Sequence, residues 1–228
     1  MLPVLVLLFR VSPLVAVGTD LAYSVPTKIL GAIVHKRQET MNPKLVLLLC
    51  IGGVPGALLG IASLSILKAH ISIDQLNAIL KHVIGILLIV IAVAIVGIQL
   101  FSRQRPAAQP LRPRAPIIVL IALVVGFLVS VTSIGAGSIT LTALVLILPR
   151  MRIQDLVGSD IAFAAIIVPI AAAGHLSLGS VNLPMTLSLL IGSLPGVYIG
   201  SRLCAKLPVK FLRPAIAGVM ALAGTRLL

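Results

Sequence analysis

Acidic residues are scarce: the 228-residue chain has 5 Asp and Glu against 18 Lys and Arg, a formal net charge of +13. The acids are mostly scattered, so no cluster with Arg, a nucleophile or metal ligands marks an active site. This weighs against the main rival class, a membrane-embedded enzyme acting on a lipid phosphate. Aromatics are only 3% of residues and Trp is absent. With so little base-stacking surface, and with Lys and Arg grouped between apolar runs, the positive charge does not signal a nucleic-acid partner. The 2 cysteines, Cys50 and Cys204, sit singly in apolar runs without metal-ligand spacing. They form neither a disulfide framework nor a zinc site, and they read as small buried residues. No cofactor or metal is expected.

What is present in abundance is apolar surface, 59% of positions, with charged residues held to 10%. This composition belongs to a polytopic membrane protein. Cutting at charges, prolines and polar clusters leaves apolar segments at roughly 13–35, 44–67, 77–101, 116–132, 155–175, 184–205 and 211–228, each of about the 17–25 residues a helix needs to span a bilayer. Two further apolar pieces, 2–9 and 137–149, are too short to span alone.

The chain also says nearly the same thing twice. Residues 17–60 open VGTDLAY and close GGVPGALLG, while residues 157–200 open VGSDIAF and close GSLPGVYIG. At an offset of 140 the copies share Gly18 with Gly158, Asp20 with Asp160, His35 with His175 and Asn42 with Asn182, then a Gly-x-x-Pro-Gly-x-x-x-Gly skeleton. Each short piece lies just before a repeat, so each repeat is expected to contain one half-helix. Ala16-Val17-Gly18 resembles a signal-peptide cleavage site, but its recurrence in mid-chain argues against that reading.

Between the copies lies an Arg- and Pro-rich linker with Arg103, Arg105, Arg112 and Arg114. It cannot be helical throughout and is expected to be solvated. Its cations, with Lys36, Arg37 and Lys44, place it and the loop after the first copy in the cytoplasm. The corresponding loop of the second copy, 176–182, has neither Lys nor Arg and is expected outside. Arg150 and Arg152, then Arg202, Lys206, Lys210 and Arg213, agree. The expectation is an all-α polytopic membrane protein of two repeats, inverted in topology, with discontinuous helices: 1–101, a linker at 102–115, and 116–228. Inverted repeats put a binding site at their interface, near the bilayer midplane.

The clearest break is Thr132-Ser133-Ile134-Gly135-Ala136-Gly137-Ser138. Glycines let the backbone turn and approach a solute, and the helix that follows offers unpaired N–H groups and a positive dipole end. An anion suits such a place, with the Ser133 and Ser138 hydroxyls beside it. Close helix packing by small residues is the structural alternative.

At this point the residues resemble the sulfite exporter TauE/SafE family of membrane transporters. The resemblance rests on AVGTDLAYSVPTKILGAIVHKRQ at 16–38, on SLPGVYIGSRL at 193–203 and on the break at 135–137. It implies a multi-pass carrier of the bacterial inner membrane moving sulfite, a sulfonate or a related sulfur or organic anion. Such families carry a Gly-x-Gly-Gly-Gly motif in each half. Here Ala136 interrupts the second and the first is missing, so the DNA before Met1 is expected to encode about 20–30 further residues forming an apolar span and a Gly-rich turn. A fragment that needs a partner chain and a transporter with half its site are the remaining alternatives.

Among ionisable residues Lys28 stands out, lying about 10 Å of helix rise from His35. Either a cavity holds an anion against it, or its stem snorkels to the interface. Asp20 and Asp160, beside Thr19 and Ser159, suit helix N-capping, with proton or cation coupling as the functional alternative. His35 and His175 are candidate proton carriers or interfacial residues with satisfied hydrogen bonds. Gly56, Gly60, Gly196 and Gly200, with Pro55 and Pro195, read as close-packing and kink positions. The expected solute-binding set is Lys28, Thr19, Ser133, Gly135, Gly137, Ser138 and Ser159, the partners being a small anion and the lipid bilayer. Substrate identity, direction, coupling ion and oligomeric state are not written in the sequence.

Overall fold

The computed structural model describes residues 1–101, 115–148, 151–204 and 209–227, with side chains left undescribed at 95–101, 194–204 and 209–217. The described residues form helices without strands. They are α1 (Leu2–Leu7), α2 (Pro13–Arg37), α3 (Pro43–His70), α4 (Ile73–Phe101), α5 (Ala115–Thr132), α6 (Ile139–Ile147), α7 (Ile153–Ser177), α8 (Leu183–Cys204) and α9 (Val209–Leu227). The expected segments coincide with α2–α5 and α7–α9 to within a few residues, and the two short apolar pieces become α1 and α6. Residues 102–114 of the linker, Arg150 and Lys206 lie outside the described residues, as do the side chains of Pro195, Arg202, Cys204, Lys210 and Arg213 and the surroundings of Gly196 and Gly200.

Among the described residues four helices are long and apolar enough to cross a membrane: α3, α4 over Ile73–Ala94, α5 and α7. The 25-residue α2 has ample length, but Asp20, Lys28 and its hydroxyls make it more polar. Large exposed side chains such as Leu47, Ile51 and Leu58 on α3, or Ile86, Val90 and Val93 on α4, give these helices the apolar outer faces that lipid requires. The most apolar stretch of α7 is 61% buried, against 39–44% in the other three, so α7 lies nearest the centre. Its Phe163 and Ile167 are wholly buried.

Small residues set the tightest packing. A Cβ placed on Gly52 would lie 2.0 Å from the Val119 carbonyl oxygen, on Gly56 2.0 Å from that of Leu123, and on Gly126 2.1 Å from that of Gly53. Thus α3 and α5 touch backbone to backbone, which only glycine permits. Gly60 continues the row, where a Cβ would be 2.8 Å from Ser130 Cβ. The close-packing role expected of Gly56 and Gly60 is realised here.

The helix ends are built alike in both copies. At Glu39 (φ 55°) and Gly179 (φ 66°) the chain enters the left-handed region that ends α2 and α7. Thr40 N–H then donates back to His35 O (3.1 Å) and Ser180 N–H to His175 O (3.0 Å). The next helix starts on an asparagine: Asn42 Oδ1 accepts Leu45 N–H at 3.1 Å and Asn182 Oδ1 accepts Met185 N–H at 3.0 Å. These are N-caps.

Candidate functional site

The capping role expected of Asp20 and Asp160 is corrected by the helix bounds. Helix α2 is preceded by Ser12 and α7 by Arg152, so both aspartates lie two turns inside their helices, where backbone N–H groups are already paired. They are buried, 6% and 2% exposed. A carboxylate so placed needs compensation from its surroundings.

That compensation converges on the break. Helix α5 stops at Thr132, whose hydroxyl donates to Leu128 O at 2.7 Å. Ser133 (φ 56°), Gly135 (φ 137°) and Gly137 (φ 101°) then turn the chain. Helix α6 restarts as Ile139 N–H and Thr140 N–H donate to Gly135 O at 3.1 and 3.3 Å. Ser133 Oγ donates to Asp20 Oδ2 at 2.8 Å. Asp160 approaches from the other side, Oδ2 lying 3.9 Å from where a Gly137 Cβ would stand. The break is thus held between one aspartate from each copy.

Lys28 is half-buried on α2, about 12 Å of helix rise beyond Asp20. One turn further, a Cβ on Gly31 would lie 3.1 Å from Ile161 Cγ2, so the turn of α2 that carries Lys28 packs next to the turn of α7 that carries Asp160. Among the described residues each carboxylate also keeps one buried oxygen, Oδ1, without a hydrogen-bond partner.

Thr19 and Ser159, expected among the solute ligands, are instead fully buried and committed to a reciprocal contact. Asn182 N–H donates to Thr19 Oγ1 at 3.1 Å, and Asn42 N–H donates to Ser159 Oγ at 3.0 Å. Beside them a Cβ on Gly18 would fall 2.3 Å from Ser180 O, and one on Gly158 2.0 Å from Thr40 O. The start of α2 meets the loop after α7, and the start of α7 meets the loop after α2, so the two helices run in opposite directions.

The histidines are structural partners of these loops. His35 Nδ1 pairs with Thr40 Oγ1 at 2.8 Å. His175 is fully buried, its Nδ1 on Ser180 Oγ at 2.9 Å and its Nε2 on Ser130 O at 2.8 Å. His175 therefore lies in the interior rather than at an interface. Sequence reading overlooked Thr40, Ser180 and Thr140. The first two recur at the same offset as the histidines, and that spacing is a signal that could have revealed them. Ser138 stands at the start of α6 without capping it through its side chain.

A buried, polar helix break among apolar helices is transporter anatomy, and comparison with known proteins agrees. Residues 1–227 match the sulfite exporter TauE/SafE family. The chain belongs to that family. The transporter is 36% identical over 229 residues to the probable membrane transporter protein YjnA of Bacillus subtilis (strain 168), covering 98% of this chain and 89% of that protein. It is 26% identical over 227 residues to the probable membrane transporter protein YdhB of the same organism, covering 96% and 88%. No solved structure matches it. Membrane transport is accordingly the function class, and the family name's sulfite is a lead to its solute.

Proposed function

We infer that this transporter moves a small anion, such as sulfite, a sulfonate or a related sulfur or organic anion, across the bacterial inner membrane by alternating access. In this reading 1–101 and 116–228 are inverted-topology repeats and 102–115 is their cytoplasmic linker. The observation that carries it is Lys28: one half-buried ammonium on the turn of α2 before Gly31, which packs on Ile161 next to Asp160, beside a glycine-built helix break. An ammonium at membrane depth costs about 2.5–3.5 kcal/mol on insertion scales, and a site that repeatedly receives an anion is a reason to keep it there. Ser133, Gly135, Gly137 and Ser138 would supply hydroxyl and amide donors beside it, suited to oxyanion oxygens. The opposed directions of α2 and α7 support the inverted arrangement, since identical loops then lie at opposite ends of the pair.

Lys28→Gln tests the site. In proteoliposomes loaded with radiolabelled sulfite, the variant is expected to insert normally and to lose most of the flux. Unchanged flux would leave snorkelling as the better account. Gln38→Cys and Ser177→Cys, each made in a chain lacking Cys50 and Cys204, test the topology with an impermeant thiol reagent. Labelling from opposite sides is expected, and labelling from one side would end the inverted-repeat reading.

A further inference from the structure

We propose that Asp160 is the proton-carrying group of this transporter, taking up a proton when the transported anion engages Lys28; this rests on the anion-carrier reading above. Asp160 is 2% exposed and its Oδ1 has no hydrogen-bond partner among the described residues. The charged and titratable groups on the described helices around the two aspartates are Lys28 and Tyr23 on α2; α5 and α6 bring Ser133, Thr140 and the Gly137 backbone. These groups are unevenly shared. Asp20 has the Ser133 hydroxyl at 2.8 Å, whereas the cation-bearing turn of α2 beside Asp160 is that of Lys28, one turn before Gly31, whose Cβ would lie 3.1 Å from Ile161 Cγ2.

One ammonium cannot serve both an incoming anion and Asp160. Once an anion sits on Lys28, an ionised Asp160 would be a second negative charge in a dry region without a countercharge, which favours its neutral form. An O–H bond then forms at Asp160, with the proton drawn from water on the side to which the site is open. The bond breaks when the anion leaves on the other side and Lys28 again faces the carboxylate. Anion and proton thus move together, and no oxidation or reduction is involved.

The test uses the full chain in liposomes with radiolabelled sulfite, the membrane potential clamped. Two assays are run: exchange of sulfite at equal concentration on both sides, and accumulation driven by a pH gradient. Wild type is expected to show both, with about tenfold accumulation per pH unit for each proton carried. Asp160→Asn is expected to keep exchange and accumulate nothing, and Asp160→Glu to recover part of the accumulation. Undiminished pH-driven accumulation by Asp160→Asn, or accumulation in wild type that follows a sodium gradient and ignores pH, overturns the proposal.

A second measurement needs no solute. Infrared difference spectra of the reconstituted protein across a pH titration should show a carboxyl C=O band that disappears in Asp160→Asn and Asp160→Glu shifts, while Asp74→Asn leaves it in place. A spectrum identical in wild type and Asp160→Asn overturns the proposal. Absence of sulfite exchange in wild type, with that band present, would count against the proposed solute and leave Asp160 as the protonating group.

Discussion

The two copies of the repeated segment agree in their hinges and differ in their middles. Their loops superpose in chemistry: Thr40 and Ser180 on the histidines, Asn42 and Asn182 as caps, Ser159 and Thr19 receiving the asparagine N–H groups. Their helices diverge, because α2 carries Lys28 where α7 has Val168, and α7 is the more buried. What persisted in both copies is the geometry that fixes one helix against the other. What diverged is the charge: the first copy carries an ammonium in mid-helix and the second an apolar side chain.

Exchanging the middles should break the comparison most severely. Val168→Lys puts an ammonium at a position 3% exposed in the protein centre, and is expected to abolish folded protein, as judged by size-exclusion of a fluorescent fusion. An unpaired buried charge costs several kcal/mol. Should the variant remain folded, the second copy has more room and polarity around Val168 than its packing indicates.

Matched glycines sharpen the comparison next. Gly52→Ala meets the Val119 carbonyl at 2.0 Å, while its counterpart Gly192 has nothing within 4 Å among the described residues. The first substitution should destabilise by about 1–3 kcal/mol, and the second should be neutral or stabilising by up to about 1 kcal/mol through helix propensity. Thermal denaturation in detergent compares them, and equal midpoints would contradict the backbone contact between α3 and α5.

Histidine replacement follows. His175→Ala leaves Ser130 O and Ser180 Oγ without their ring partner in the interior, for a loss of about 1–3 kcal/mol. His35→Ala, at a half-buried ring with Thr40 as its side-chain partner, should cost less, about 1 kcal/mol. The same thermal assay gives the order, and reversal of that order would mean the first loop is the more constrained. The smallest contrast is at the caps: Asn42→Ala and Asn182→Ala should each lose about 1 kcal/mol and differ little. A large difference between them would show that the loops are alike in geometry and unlike in strain.

Much of this was legible in the sequence, because lipid demands long apolar runs and polar punctuation marks where they end. The seven long segments, the two short pieces and the break at 133–138 follow from that demand alone. The recurrence of Asp20 and Asp160 marked both as special, yet capping was the wrong inference. Proline and the preceding Ser12 had already begun α2, and nothing local distinguishes an aspartate two turns in from one at the start. Thr19 and Ser159 were misread for a related reason, since a small hydroxyl serves a solute or a neighbouring loop equally well.

The sequence by itself determined the class, the helices and the duplication, since hydropathy and chain-breaking residues act locally. Tertiary structure decided which pieces meet. It brought Ser133 to Asp20 across 113 positions of chain and Asn182 to Thr19 across 163. It also decided that α3 and α5 meet through glycines and that Gly31, one turn after Lys28, packs on Ile161 beside Asp160. Those juxtapositions depend on packing between distant helices, and hydropathy, which is a property of each segment alone, has no means of specifying a partner.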